Sequence, residues 1–580
     1  MRAVQSVSGK AVARFMAAVV AVVGTAVLAG CGSDTQPQTQ SVLQVHVGLV
    51  QAVKVLTGES LDPAVGAQTI KNTVSGPGME DVSTSYNYKD GPGGSGELPV
   101  FPEGYERQVT VEICRGICEP AAIDDIISRG RSVPIRLQWG DTKSQTVFVA
   151  PRNSFVLPAR LGDNGAVVKS NASFKERVGA TVTRLDDGTM LIIGGATIKG
   201  GAASWYRPED ISSVTANAEI YDPRTGVFSA TAGPLKRGRA YHAAVLLGGP
   251  NKADGRVVVM GGYESKGGGF VPTASVEIFD PDTGKFVEEP VDRWLSGAGR
   301  ALLTAGLAYP DEDVIFLAGG ISDPSDRGAW LLYKAGTGTV GAGGLAPAEV
   351  GPENGRGKPR WNHTMTFLPN YGKSAGGTPI PAFVLMGGEN DSEVLSEVEA
   401  YQLDPWNGGS SSVRRDVEAV TTALPVTART LHAAVYVPGQ DIVWVIGGFE
   451  DRQLSRPINR VEVFRAGSLS FTAGEYLEMA EGRGGMSATL SETLNNSILI
   501  AGGRGTGGPL VRTEMILEKK VCSGADVCIR QPFLASDRTP EMESPRVGHT
   551  ASLDPTGRLL ILGGVSDFNT IPAPIFYNPD

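Results

Sequence analysis

Seven times between residues 190 and 564 a run of apolar residues ends in two glycines: "LIIGG", "VVMGG", "FLAGG", "VLMGG", "WVIGG", "LIAGG" and "LILGG". The second glycines stand at 195, 262, 320, 388, 448, 503 and 564, so by subtraction successive units are 67, 58, 68, 60, 55 and 61 residues apart. A recurrence at this period, held in register over most of a chain, restricts the fold to a repeat architecture. Other Gly pairs, such as Gly248-Gly249, fall out of register.

Each unit carries more than its glycines. Arg177, Arg239, Arg300, Arg360, Arg429, Arg483 and Arg546 precede the pairs by about one hairpin. An apolar strand follows each arginine ("HAAVLL", "HAAVYV"), then a turn and the strand that ends in Gly-Gly. A loop of variable length leads to a third strand, as in "AEIYDPRTGVF" and "VEIFDPDTGKF". Its Asp-Pro-x-Thr-Gly is turn chemistry: Pro presets φ, Asp bonds the neighbouring backbone and Gly takes φ > 0. The aromatic beyond opens a fourth strand. Four antiparallel strands per unit, repeated seven times, predict an all-β chain whose main body is a seven-bladed β-propeller.

These residues resemble the kelch repeat over roughly residues 165–580: the Gly pair (Gly261 and Gly262 in the second unit), the Arg-x-x-His start (Arg239 with His242, Arg429 with His432) and the third-strand Glu-x-aromatic (Glu277). The third unit, with "GAWLLY", and the seventh, with "PAPIFY", lack the Glu. Gly suits a strand end where blades converge and a Cβ has no room, or where the chain leaves with φ > 0. Glu219, Glu277, Glu399, Glu462 and Glu514 recur at one third-strand position. A recurring Arg and a recurring Glu in one core predict an ion pair in most blades, because isolated buried charge is costly. The chain ends just after the seventh third strand, while "NGAVVKSNASFKER" ahead of the first unit matches "TGVFSATAGPLKRGR" ahead of the second. The expectation is therefore that the segment near Val167 supplies the seventh blade's outer strand and closes the ring.

The domain reading is a leader over 1–30, a lipidated Cys31 and tether over 31–42, a small β-sandwich-like domain over 43–155 and the propeller over 160–580. The leader is read from Arg2, Lys10 and Arg14 ahead of the apolar run Phe15–Gly30. That run is short for a bilayer span. It ends in "LAGC", Leu28 to Cys31, which resembles a bacterial lipobox and implies a lipid on Cys31. Gly32, rather than Asp, follows the cysteine. In the lipoprotein resemblance this favours the outer membrane.

In the front domain "RQVTVEI" and a hairpin over "SVPIRLQWGDTKSQTVFVAP" alternate as half-buried strands do. "EPAAIDDIISRG" reads as a short helix or a loop. Export makes the close pairs Cys114/Cys118 and Cys522/Cys528 read as local disulfides, and neither has zinc-site spacing.

The formal charge of −10 is spread along the chain; without residues 1–30, which hold three cations and no acids, it is 49 − 62 = −13. No concentrated basic face argues for nucleic acid. Of five histidines, His242, His363, His432 and His549 sit at one repeat position, which points to packing; His46 stands alone. No catalytic residue, metal or cofactor is assigned. A galactose-oxidase-like enzyme, which shares the seven-bladed ring, would need copper ligands and a modified Cys that this pattern does not supply.

Function is expected instead in the variable loops on one propeller face. The longest lie after the first and second Gly pairs and between the third and fourth units. Trp205, Tyr206, Arg207, Tyr263, Phe270, Asp391, Phe449 and Asp451 are the candidate contacts with a protein or glycan partner. For Trp205 the alternative is a ring folded back over its own blade. The expected role is binding at the bacterial surface, with a carbohydrate-active enzyme in the central channel as the alternative.

Overall fold

The computed structural model describes residues 22–25, 42–53, 60–88, 101–118, 125–138, 141–163, 167–170, 177–200, 204–249, 254–289, 299–322, 330–335, 358–373, 379–403, 413–416, 427–468, 470–491, 496–522, 528–535, 539–566 and 573–579. Cys31, the Gly-rich stretch 91–100 and most of the loop between the third and fourth units lie outside them. Among the described residues there is no α-helix, and 3-10 turns occur at Pro208–Asp210 and Pro310–Glu312 among others.

Seven antiparallel sheets follow one another from residue 181 to 578. Blade 2 is typical: Ala243–Leu246, Val257–Met260, Val276–Asp280 and Lys285–Glu288 pair in chain order. Every residue of Val257–Met260 is buried, because the second strand is covered by blades on both sides. Three strands are described in blade 3, ending at Trp330–Lys334. The first strands of the seven blades are neighbours in cyclic order, and Thr181–Arg184 of blade 1 also meets Thr550–Leu553 of blade 7. The ring is therefore closed around an axis, with apolar clusters shared between successive blades.

Closure occurs, but not through Val167. The seventh sheet runs Thr550–Leu553, Leu559–Leu562, Ile575–Asn578 and then Ser154–Val156, which pairs antiparallel with the last strand as Phe155↔Tyr577. Val167–Lys169 pairs instead with Ala159–Leu161 in a small hairpin. The physical reason is burial: all three residues of Ser154–Val156 are buried, whereas Val167–Lys169 has no fully buried residue to contribute. Phe155 and Tyr577 also stack at 5.2 Å between ring centres, and the Tyr577 hydroxyl bonds Asn153 at 2.7 Å.

Among its described residues the front segment is strand and turn. Eight of its strands form one sheet, in the order Val22–Thr25, Val42–Leu49, Thr142–Pro151, Ile126–Arg131, Gly104–Cys114, Thr69–Ser75 and Val82–Asn87, with Ile135–Leu137 also on Gly104–Cys114, while Ala52–Val53 and Ser60–Leu61 extend the seventh sheet beyond Ser154–Val156. The sheet curls into a half-barrel around a core that includes Val45, Val74, Val111 and Val147. Two details differ from the sequence reading. The hairpin across the Gly-Asp turn does not form, since its two arms pair with different strands. Within residues 119–130, read as a short helix or a loop, the segment from Ile126 belongs to a central strand, Ile126–Arg131, and residues 119–124 lie outside the described set. Cys114 and Cys118 form a disulfide, with Cα atoms 5.5 Å apart. The side chains of Cys522 and Cys528 lie outside the described residues.

The half-barrel is seated on the ring rather than tethered to it. Asn578 Nδ2 donates to the carbonyls of Arg129, Ala150 and Pro151 at 3.2, 2.9 and 3.1 Å. Phe148 packs in one cluster with Met190 of blade 1 and Leu560 of blade 7.

Candidate functional site at the channel mouth

The Gly pairs build the mouth. Gly194 takes φ +59, and a Cβ there would meet the carbonyl oxygen of Arg239, in the next blade, at 2.4 Å. Gly195 donates its N–H to that same carbonyl at 2.8 Å. The bond repeats as Gly262 to Arg300, Gly320 to Arg360, Gly388 to Arg429, Gly448 to Arg483 and Gly503 to Arg546. Each arginine then reaches back to its own blade: all seven donate through Nη1 to the carbonyl of the first glycine of the pair. Five also meet the third-strand Glu: Arg177–Glu219 at 2.8 Å, Arg239–Glu277 at 2.6 Å, Arg360–Glu399 at 2.9 Å, and the pairs Arg429–Glu462 and Arg483–Glu514. In blade 7, which lacks the Glu, burial pulls the Arg546 guanidinium down to about 10.

The histidines are staples between blades. His242, His363 and His432 bond through Nε2 to Thr181, Thr304 and Thr364 on the preceding blade, and His549 to Ser487, at 2.8 to 3.0 Å. Burial, aided by the adjacent arginine, holds His242, His363 and His549 neutral with pKa values near 3, and lowers His432 as well. They are occupied, buried and uncharged near neutrality.

Two residues after each arginine the backbone turns left-handed: Gly179, Tyr241, Leu302, Asn362, Leu431, Gly485 and Gly548 have φ between +53 and +68. N–H groups of Tyr241, Leu302, Leu431, Gly485 and Gly548 donate to the carbonyl at this position in the preceding blade. The result is a collar around the axis. Left-handed backbone at Tyr241, Leu302 and Leu431 stores strain of order 1 kcal/mol or more each, which the collar's bonds and packing offset.

Against this collar packs the loop after the first Gly pair, carried on the hairpin Ala196–Ile198/Ile211–Val214. Trp205 lies neither outward nor over its own blade. Its indole fills the space that the collar glycines leave, so that a Cβ on Gly485 or Gly548 would meet it at 2.4 or 2.3 Å. The Tyr241 hydroxyl donates to its carbonyl. Tyr206 packs edge-on to Trp205 at 5.8 Å and crosses to blade 4, where its hydroxyl donates to Glu389 Oε1 at 3.0 Å. Trp361 Nε1 and Asn362 Nδ2 donate to the same oxygen at 3.1 and 3.0 Å. Burial pushes the Glu389 carboxyl up. Arg207 Nη2 donates to the Arg452 carbonyl at 2.6 Å, and Arg452 donates to the Asp391 carbonyl. Loops of blades 1, 4 and 5 are thus braced together over the axis.

The sequence candidates divide accordingly. Trp205, Tyr206, Tyr263 and Phe449 are buried in or under the cap, Phe270, Arg207 and Asp451 are half-buried, and Asp391 is exposed. Asp451 is spent on its own loop, accepting from Ser455 and pairing with Arg456. From sequence, Glu389 stands only within "GGEND", residues 387–391, acidic enough to suggest a metal but read as a solvated loop; the structure buries it at 2% exposure, and Trp361 and Asn362 were not singled out. The signal was present: Glu389 follows a Gly pair in "GGEND", where the other units have Ala196, Tyr263, Ile321, Phe449, Arg504 and Val565. A groove of about 610 Å³ beside Arg177 and Glu219, lined also by Thr197, Ser213, Asn217 and Thr231, is a second candidate within blade 1.

No family model matches the chain, and no curated protein does. Among solved structures it is similar to one titled "Structure of YjhT", at 14% identity and a TM-score of 0.37, over 61% of this chain and 97% of that one.

Proposed function

We propose that this chain is an exported, lipid-anchored binding protein with a kelch-type propeller, which engages a protein or glycan partner at the bacterial surface, at the outer membrane in a two-membrane envelope. The observation that carries the binding role is the bracing of three loops over the channel mouth through Tyr206–Glu389, Arg207–Arg452 and Arg452–Asp391. A platform fixed before contact loses little conformational entropy on association, which is what recognition surfaces need. The lipid anchor rests on "LAGC" and would hold the propeller through the tether 32–42. The kelch reading rests on the Gly pairs, the Arg-x-x-His starts and the third-strand glutamates.

The rival, a carbohydrate-active enzyme, needs acid–base groups open to the channel. The four repeat histidines are instead bonded to neighbouring hydroxyls and held neutral.

The test immobilises the chain from Gly32 and screens a glycan array and envelope extracts. Specific capture that falls when Arg452→Ala or Arg207→Ala is introduced supports the reading. Capture indifferent to both changes, or turnover of a sugar by the purified chain, refutes it. For the anchor, a fatty-acid label should enter the wild-type chain in cells and be absent after Cys31→Ala; equal labelling rejects it.

A further inference from the structure

We infer that the channel mouth contains a covered site for an alkylammonium group, the lysine side chain of a protein partner, with Glu389 as its anchor and Trp205–Tyr206 as its removable cover. The inference deepens the binding reading and rests on it.

Glu389 is only 2% exposed, yet its two oxygens are treated unequally. Oε1 accepts three hydrogen bonds, from Tyr206, Trp361 and Asn362. Oε2 is buried and has no hydrogen-bond partner among the described residues. The same is true of the Tyr263 hydroxyl, on a residue that is fully buried. Burial above all, and then the charges of Glu209, Tyr206 and Glu389, push the Tyr263 hydroxyl up. Buried polar atoms are nearly always satisfied, and an unmet carboxylate oxygen points to a missing donor.

The chemistry of the missing group follows from the acceptors. Five third-strand glutamates each meet a buried arginine, whereas Glu389 meets none. Arg452 and Arg207 lie close enough to feel the Glu389 charge, but their hydrogen bonds go to the Asp391 and Arg452 carbonyls and not to Oε2. Oε2 is therefore open to a donor, and a cationic donor suits a carboxylate best. A guanidinium gains most where both carboxylate oxygens are open to a bidentate pair, and Oε1 here already accepts three bonds. An ammonium is a point charge with three donors and needs only the free oxygen. Trp361 and Tyr206 put two aromatic rings beside the carboxylate, a ring type that attracts cations. The apolar cluster around Trp205 and Tyr206, which includes Leu302, Leu431 and Leu454, suits the long aliphatic stem of lysine better than an amine attached directly to a sugar ring.

The cover is separable from the anchor. Trp361 and Asn362 belong to blade 4 with Glu389, but Tyr206 arrives on a loop from blade 1. Releasing the Trp205 and Tyr206 side chains frees one Oε1 bond and opens the site, and the Arg207–Arg452 and Arg452–Asp391 braces need not break.

The experiment uses the chain from Gly32 and calorimetric titration with Nα-acetyl-lysine methylamide. Its uncharged norleucine counterpart and glucosamine are run in parallel. Trp205→Gly, which loosens the cover without touching Glu389, should tighten lysine binding by about tenfold or more, and Glu389→Gln in that background should reverse the gain. The norleucine probe should fail. Should Trp205→Gly not fold, Tyr206→Phe removes only the hydroxyl that ties the cover down and carries the same expectation. A folded, uncovered chain that ignores the lysine probe at millimolar concentration overturns the inference, as does binding that survives Glu389→Gln. A preference for glucosamine over the lysine probe also overturns it and moves the site to amino sugars. Probe failure with partner capture intact sinks this inference alone; loss of both sinks the binding reading as well.

Discussion

The Arg239–Glu277 pair is the sharpest test of how the ring is held. Both side chains are 0% exposed and meet at 2.6 Å. Glu277 also accepts the backbone N–H of Lys236 at 2.7 Å and of Arg237 at 3.2 Å, so it ties the inter-blade connection to the third strand. Glu277→Ala leaves a guanidinium without its counter-charge and two N–H groups without their acceptor. Breaking one side of a buried pair costs about 3–5 kcal/mol, and the stranded N–H groups keep the value from falling below that range. A loss of about 4 kcal/mol lowers the folding equilibrium by roughly a thousandfold. Urea denaturation gives the global value, and hydrogen exchange over Val257–Met260 tells whether blade 2 opens first. Glu277→Gln, which keeps one acceptor oxygen, should lose about half as much. Glu219→Ala should also lose less, because the Glu219 side chain is 12% exposed and water can replace it. Wild-type denaturation and unchanged exchange for Glu277→Ala would show that the pair merely fills space.

Three further outcomes follow from the same geometry. The histidines give an acid limb: in the folded ring His242, His363 and His549 protonate only near pH 3, against an ordinary 6.5, so the unfolded chain binds protons first and stability drains as pH falls from 6.5 towards 3. At pH 5 each accounts for about 2 kcal/mol, so His242→Gln, measured against wild type from pH 7.5 to 4.5, should lose less stability on acidification; parallel curves would contradict this. Gly548→Ala places a methyl 2.3 Å from the Trp205 ring on a backbone at φ +68, and should expel the indole, red-shift tryptophan emission and reduce stability by about 2 kcal/mol; unchanged emission would disprove the seat. A chain begun at Ala159 lacks Ser154–Val156 and exposes the edge of Ile575–Asn578, so it should associate and be nicked in blade 7, and a monomer as protease-resistant as the full chain would refute closure by that strand.

What the sequence discloses is whatever each blade repeats. The Gly pairs, the seven arginines and the five glutamates are legible because each serves a contact within its own unit or with the next, and the same contact recurs around the ring. The closing strand was misplaced for the complementary reason. "NGAVVKSNASFKER" does resemble a fourth strand and connection, but the seventh sheet accepts whichever segment arrives with apolar side chains. Ser154–Val156 comes straight from Thr142–Pro151 of the half-barrel, already beside the last strand. Trp205 was recognisable as a residue type suited to binding and not as a cap. Its seat is made by Gly485 and Gly548, 280 and 343 positions later by subtraction, and nothing local to the loop announces them.

Where the ring departs from its own symmetry, its departures are concentrated. The left-handed collar asks the same backbone of seven residues, and the glycines at 485 and 548 lie where the indole of Trp205 comes to rest. The position after each Gly pair is apolar, aromatic or basic except in blade 4, where it is Glu389. Tyr206 links the two departures, because the loop that fills the glycine slot also delivers its hydroxyl to that carboxylate. A cap needed only for stability would be best served by an apolar partner, since a half-satisfied buried carboxylate weakens the fold it sits in. Glu389 instead keeps an unmet oxygen at the axis beneath a cover that belongs to another blade. Such an arrangement is expensive for a scaffold and useful for recognition, so the mouth rather than the repeat is where this propeller's specificity should be sought.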